Sequence, residues 1–209
     1  MHGTIPTKIG RVITNLVRHP QYIPRCVTHN LLNGKTPLDL EIPWFSYSAI
    51  DFLKTFLKPQ MNVCEYGSGG STLFFAQRTA RVHSIEDNPR WYELVSQRLI
   101  EKRVKNVTLQ LCPFDFKNPT GFEQSDYLRA LPDEKFDVIV VDGSEEWTQV
   151  RPICFEKAQR HIKPGGIIIV DDSWRYPKLR LNNRAETHRV FQSVGPCRPG
   201  VTSTDIFFY

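Results

Sequence analysis

The stretch Val63-Cys64-Glu65-Tyr66-Gly67-Ser68-Gly69-Gly70-Ser71-Thr72 decides how the chain is read. A short apolar run breaks into glycines and then into a helical pattern, which predicts a strand, a tight turn and a helix start. Glycine permits positive φ and close approach of a ligand to the backbone, and the free N–H groups of a helix start face whatever lies above the turn. A nucleotide-like ligand suits that arrangement. The next acid at a strand end is Glu86, in Val82-His83-Ser84-Ile85-Glu86, 21 residues after Glu65. That spacing fits a carboxylate accepting both ribose hydroxyl protons at the tip of a second strand.

Beyond this turn, short apolar strands alternate with helical patterns, the signature of a parallel sheet covered by helices on both faces. Residues 90–103 predict a helix carrying Trp91, Leu94, Val95, Leu99 and Ile100, and residues 107–111 a third strand. Residues 136–141 and 166–170 predict a fourth and a fifth strand, each almost continuously apolar, as strands buried on both faces are. Between the third and fourth strands, residues 112–135 are polar and proline-containing and read as a loop with a short helix at 123–130, while 151–161, between the fourth and fifth, reads as a helix. Residues 190–194 and 205–209 flank Gly195-Pro196-Cys197-Arg198-Pro199-Gly200 and predict an antiparallel pair closing the sheet. The expected fold class is α/β, a doubly wound, mostly parallel seven-stranded sheet with a C-terminal antiparallel hairpin. Right-handed crossovers put every parallel strand's C-terminal end on one rim, where the ligand crevice belongs.

With 209 residues and 40% hydrophobic content the chain can bury one sizeable core. No run of about 18 apolar residues predicts a membrane span, and the first 30 residues lack the apolar core of a secretory leader. The five cysteines (Cys26, Cys64, Cys112, Cys154, Cys197) are scattered and form no C-x-x-C pair, which favours buried thiols in a reducing compartment. A cytoplasmic location is expected.

The net charge of +5 is uneven: five of the 27 basic residues (Lys8, Arg11, Arg18, Arg25, Lys35) fall before the first acid, Asp39, which leaves 22 against 22 acidic residues. A balanced domain with a basic extension argues against a broad nucleic-acid face. We therefore divide the chain into a basic helical extension, residues 1–40, and a ligand-binding domain, residues 41–209. Within the extension, Ile5, Ile9, Val12, Ile13, Leu16 and Val17 recur at helical spacing. The favoured reading is a helix packed on the domain with solvated arginines; a basic helix on an anionic membrane or over the substrate pocket, or a cleavable targeting peptide, are the alternatives. A turn-like link at Asn33-Gly34-Lys35-Thr36-Pro37 precedes Trp44, Phe45 and Tyr47, which either wall a substrate pocket or plug the sheet edge. Residues 49–58 predict a helix that Ser46 or Ser48 can cap.

Glu65-x-Gly67-x-Gly69-Gly70, an acid two residues before the first glycine, resembles motif I of the class I S-adenosylmethionine-dependent methyltransferases. The resemblance extends over residues 42–209 through Glu86, Asp142, Lys163-Pro164-Gly165-Gly166 and the terminal hairpin. The run from Gly195-Pro196 to Asp205-Ile206-Phe207-Phe208-Tyr209 also resembles the tail of a group of poorly characterised bacterial small-molecule methyltransferases. The resemblance implies that Glu65 holds the cofactor's ammonium group directly or through water, that Gly67 and Gly69 let its methionine part lie on the backbone, and that Ser71 donates to its carboxylate. Glu86 then takes the ribose hydroxyls and Asp87 or Asp115 the adenine amino group, with Asp142 also counted among the cofactor contacts.

Val141-Asp142-Gly143-Ser144 and Val170-Asp171-Asp172-Ser173 put carboxylates at two neighbouring strand ends. Asp142, Asp171 and Asp172 resemble the magnesium site of catechol-type and macrolide-sugar O-methyltransferases, where Mg2+ would lower a substrate hydroxyl's pKa. The catechol group has Asn where Asp172 stands, and Asp142-Gly143-Ser144-Glu145-Glu146 departs from its pattern. The other reading makes these acids helix-start or turn residues. Without a metal, Asp142 or Asp172 serves as general base. Trp44, Tyr47, Trp147, Trp174 and Tyr176 are the candidate pocket aromatics. The expected activity is methyl transfer to a small-molecule hydroxyl; transfer to nitrogen, aminopropyl transfer and a non-catalytic protein with this fold are the alternatives. No Asn/Asp-Pro-Pro-Tyr/Phe motif signals nucleic-acid amino methylation.

Overall fold

The computed structural model describes residues 5–32 and 34–209, and the side chains from residue 7 onward. Asn33, in the expected link, lies outside the described residues. In chain order the elements are α1 (Ile5–Arg18), α2 (Ile23–Val27), α3 (Pro37–Leu40), α4 (Tyr47–Phe56), β1 (Asn62–Tyr66), α5 (Gly70–Ala76), β2 (Arg81–Glu86), α6 (Pro89–Glu101), β3 (Val107–Leu111), α7 (Asp126–Arg129), β4 (Phe136–Val141), α8 (Val150–Ala158), β5 (Ile162–Val170), β6 (Thr187–Val194) and β7 (Val201–Phe208).

The seven strands form one sheet in the order β3-β2-β1-β4-β5-β7-β6. The first five are parallel, and β7 runs antiparallel to both β5 and β6. Alternation along the strands sorts the apolar side chains onto two faces. Cys64, Tyr66, Ile139, Val141, Ile168 and Val170 pack with α7 and α8 through Tyr127, Leu128, Cys154 and Phe155. Val63, Val138, Val140, Ile167 and Ile169 pack with α4 through Ala49, Ile50 and Leu53, and Tyr22 joins this layer. Leu38, Leu73, Val95 and Leu99 form a third cluster beneath α6. All five cysteines are free thiols. Among the described residues no helix is long and apolar enough to cross a membrane.

Several boundaries differ from the sequence reading. β5 begins at Ile162 rather than 166, since its pairing with β4 shifts register after Phe136 and so carries the strand through Lys163–Gly166. The hairpin strands are longer than expected, with eight paired positions from Thr187↔Phe208 to Val194↔Val201. The single helix expected at 123–130 is a 3-10 turn, Phe122–Gln124, followed by α7, because Ser125 caps α7 by accepting from Leu128 N–H at 3.2 Å. α5 starts directly from the glycine turn. A Cβ at Gly70 would collide with the carbonyl oxygens of Pro37 and Ile42, so the segment around α3 lies flat on the start of α5.

Candidate active site

Parallel topology brings the C-terminal ends of β2, β1, β4 and β5 to one rim, in that spatial order. There they border a cleft of about 1930 Å³ lined by Gly67, Gly69, Glu86, Asp87, Asp142 and Asp172 among others. Pockets that take a single drug-sized ligand measure roughly 300–1,000 Å³, so the cleft has room for a cofactor and a second molecule.

Gly67 makes the turn after β1. Its φ is +90°, and a Cβ would sit 2.6 Å from the Asp142 carbonyl oxygen, so only glycine lets β1 and β4 come together here. Beneath the turn lies Glu65, 1% exposed. Its carboxylate accepts from Ser71 Oγ at 2.7 Å, Ser84 Oγ at 2.6 Å and Thr72 Oγ1 at 2.5 Å. Thr72 Oγ1 in turn accepts the Gly69 N–H at 3.0 Å. Burial pushes Glu65 up to about 7 despite these three donors. Glu65 therefore braces the turn from below and is absent from the cleft lining, whereas Ser71 lines the cleft with its hydroxyl turned down to Glu65.

Glu86 reaches the rim from the end of β2 and lines the cleft. Its Oε2 accepts from Ser68 N–H (2.9 Å) and Ser68 Oγ (2.5 Å), and its Oε1 from Asn88 N–H (3.0 Å), which ties the glycine turn to β2. Trp91, in the first turn of α6, donates its indole N–H to the Ser68 carbonyl at 2.6 Å. Asp87 also lines the cleft, and burial, then the charge of Glu86, push its carboxyl up to about 7. Asp115 lies elsewhere: it is exposed and caps a turn, accepting from Lys117 N–H at 3.0 Å. From the same loop Phe114 and Phe116 border the cleft instead, packed against each other in a T-shaped pair with centroids 5.1 Å apart.

The three aspartates meet arginines. Arg151 of α8, 3% exposed, donates to the Gly143 carbonyl (3.0 Å) and the Asp171 carbonyl (2.7 Å) and pairs with Asp142 Oδ1 at 3.0 Å. Arg198, from the β6–β7 turn, donates to Asp172 Oδ1 at 3.0 Å and lies 3.6 Å from Asp171 Oδ2. Thr202 and Thr204, on one face of β7, donate to Asp172 (2.5 Å) and Asp171 (2.6 Å). Burial pushes Asp142 up to about 6, partly offset by Arg151. Asp171 is raised by burial and by Asp142. Asp172 feels burial too, but Arg198 and Thr202 hold it down at about 2.

This donor set does not fit the magnesium site expected from the sequence. Two guanidinium groups already compensate the carboxylates, and Thr202 and Thr204 occupy further lone pairs on Asp172 and Asp171. Among the described residues no group of three or more His, Cys, Asp or Glu side chains is arranged to hold a metal ion. Asp172 is instead a turn residue with φ +45°, in line with the alternative reading of these acids.

Of the expected pocket aromatics, Trp44 and Trp174 line the cleft, with Arg198 stacked over the Trp44 ring at 5.0 Å. Tyr47 is buried under the N-terminal segment, donating to the Arg25 carbonyl at 3.2 Å. Trp147 packs edge-on against Phe122, and Tyr176 is buried in the apolar cluster beside α8. None of these three borders the cleft, because each has an apolar cluster within reach. Sequence reading missed Ser68, Trp91, Phe114, Phe116, Arg151 and Arg198. The one available signal was Arg198 inside a Gly-Pro turn pointing back at the rim.

A family model described as a methyltransferase domain matches residues 64–173, more than half of the chain. No curated protein matches the chain by sequence. Solved structures of similar fold include the O-methyltransferase TomG from Streptomyces achromogenes, involved in tomaymycin synthesis and in complex with SAM. It is 16% identical, with 96% of this chain and 97% of that chain covered and a TM-score of 0.61. Cofactor-bound Rv0187 from MTB is 19% identical, with 88% and 95% covered and a TM-score of 0.61. An rRNA methylase from Streptococcus thermophilus is 17% identical, with 84% and 98% covered and a TM-score of 0.57. These likenesses concern the fold and leave the acceptor open. With its motif I turn, its strand order and its matched methyltransferase domain, the chain belongs to the class I S-adenosylmethionine-dependent methyltransferases.

Proposed function

We propose that the protein methylates a hydroxyl group of a small-molecule acceptor, with Asp142 as the proton acceptor. The observation that carries this reading is the placement of Asp142: its carboxylate stands at the end of β4, beside the glycine turn and facing the cleft, with its pKa raised to about 6. Such a group is ionised at neutral pH yet basic enough to take up a proton.

The residues present suit S-adenosylmethionine. Glu86 offers carboxylate oxygens at the position for ribose hydroxyls, Phe114 offers an apolar contact for the base, and Gly67 and Gly69 bring backbone to the cleft for the amino-acid end. When bound, the cofactor supplies an electrophilic methyl on a sulfonium. Asp142 accepts the hydroxyl proton as the acceptor oxygen bonds to the methyl carbon and the carbon–sulfur bond breaks, its electron pair staying on sulfur. Arg151 holds the Asp142 carboxylate at 3.0 Å, so it fixes the direction from which the proton leaves. The aromatic rim of Trp44 and Trp174 helps exclude water. The near balance of 22 basic and 21 acidic residues outside the extension supports a small acceptor over nucleic acid.

The test measures S-adenosylhomocysteine release with a panel of phenols, sugars and hydroxy acids. We expect kcat/KM to rise as pH climbs through about 6, since Asp142 acts only when ionised. Asp142→Asn should cost on the order of 10²-fold or more and flatten that rise while still binding S-adenosylmethionine. Wild-type turnover by the variant would remove Asp142 from the role, and no calorimetric binding of S-adenosylmethionine would refute the assignment as a whole.

A further inference from the structure

The N-terminal helix rests on the domain through Val12, Asn15 and Leu16, half-buried, and leaves both its apolar and its cationic flank exposed. An amphipathic helix on a globular protein normally turns its apolar stripe to the core and its charges to water. Among the described side chains of α1 only Val12 and Leu16 of the apolar residues join the apolar layer, while Ile9, Ile13 and Val17 stand in solvent at 54%, 57% and 74% exposure. The opposite face, with Lys8, Arg11, Thr14, Asn15 and Arg18, borders the same cleft as the glycine turn. Arg11 and Arg18 are exposed and border the cleft as well. Asn15 fixes this orientation, its Oδ1 accepting the Val194 N–H of β6 at 3.0 Å.

The helix carries three cations and no acid, and among the described residues no carboxylate pairs with Lys8 or Arg18. The cleft is therefore bipolar. Its floor presents Glu86 and Asp87, with Asp142 and Asp172 compensated by Arg151 and Arg198, which suits a cofactor bearing a sulfonium and an ammonium group. Its α1 wall presents positive charge that this cofactor does not require. A one-signed wall in a cleft concentrates ligands of the opposite sign.

We propose that the methyl acceptor carries an oxyanion, a phosphate or a carboxylate, held by Lys8 and Arg18 while its hydroxyl faces Asp142. This rests on the reading of the cleft as a methyltransferase site, so the experiment separates the two. Full-length protein is first titrated with S-adenosylhomocysteine, then, once loaded, with inorganic pyrophosphate, by calorimetry at low and high salt. Pyrophosphate should bind the loaded protein and weaken as salt rises. The double variant Lys8→Ala/Arg18→Ala should lose about fivefold or more of that affinity with unchanged affinity for S-adenosylhomocysteine, since both side chains are exposed and neither takes part in the glycine turn's hydrogen bonds. In turnover, the wild type should prefer 4-hydroxybenzoate to 4-hydroxybenzamide, and the variant should lose the preference.

Failure to bind S-adenosylhomocysteine would refute the methyltransferase site itself. Normal S-adenosylhomocysteine binding with no pyrophosphate binding, or with equal pyrophosphate affinity in the variant, would overturn the oxyanion wall alone. A short RNA hairpin that bound far more tightly than pyrophosphate through the same two residues would also overturn it, in favour of a nucleic-acid acceptor.

Discussion

Glu65 carries its carboxylate among three hydroxyl donors and almost no water, with a pKa near 7 in the folded chain against 4.5 for an unperturbed glutamate. Between those values the native state binds the proton more tightly than the unfolded chain. Its contribution to stability therefore falls as pH rises from about 4.5 to about 7. Asp87 and Asp142, at about 7 and about 6, act in the same direction. Glu65→Gln keeps partners for Ser71, Thr72 and Ser84 but does not titrate. Its melting temperature should consequently fall less than the wild type's across that window, a difference worth at most about 3 kcal/mol. Parallel curves for the two proteins would mean that Glu65 is already ionised below pH 5. The sequence showed that an acid stands before the glycines but not which way it faces. Orientation depends on Ser84, a residue of the neighbouring strand that no local pattern marks.

At the level of elements, β7 ties the N-terminal half of the domain to the cleft. Thr204 accepts the Ser46 N–H at 3.2 Å and donates to Asp171. Ser46, fully buried, caps α4 through Ala49 N–H and also donates to the Phe191 carbonyl of β6 at 2.9 Å. Ser46→Ala removes a cap and strands a buried carbonyl, so denaturant unfolding should show a loss of about 1–3 kcal/mol. A loss below about 0.5 kcal/mol would mean that water replaces the hydroxyl. Elements with a clear period were legible: the strands with continuous apolar runs, and α6 with its apolar residues on one side. The 112–135 loop was legible only as irregular, so the inward turn of Phe114 and Phe116 could not be read. α2 and α3 went unseen because each spans at most five residues, too few for a period to show.

For the whole molecule, charge is partitioned: balanced over the domain, positive over the extension, with acids and arginines interlocked at the rim. Since Arg151 and Arg198 compensate the aspartates, turnover should be unchanged after exhaustive chelation and again after added magnesium. A fall with chelator reversed by magnesium would show that a cation displaces the guanidinium groups. The sequence put the three aspartates at neighbouring strand ends but left their partners unknown, because Arg198 lies 26 residues from Asp172 and reaches it only through the hairpin. Gly70 adds a mechanical consequence. Because the chain at Pro37 and Ile42 rests directly on its backbone, and Thr36, Pro37 and Trp44 border the cleft, the two halves of the site share one seam. Any side chain introduced at residue 70 must lift that seam, so a change made on the cofactor side would register as altered acceptor selectivity.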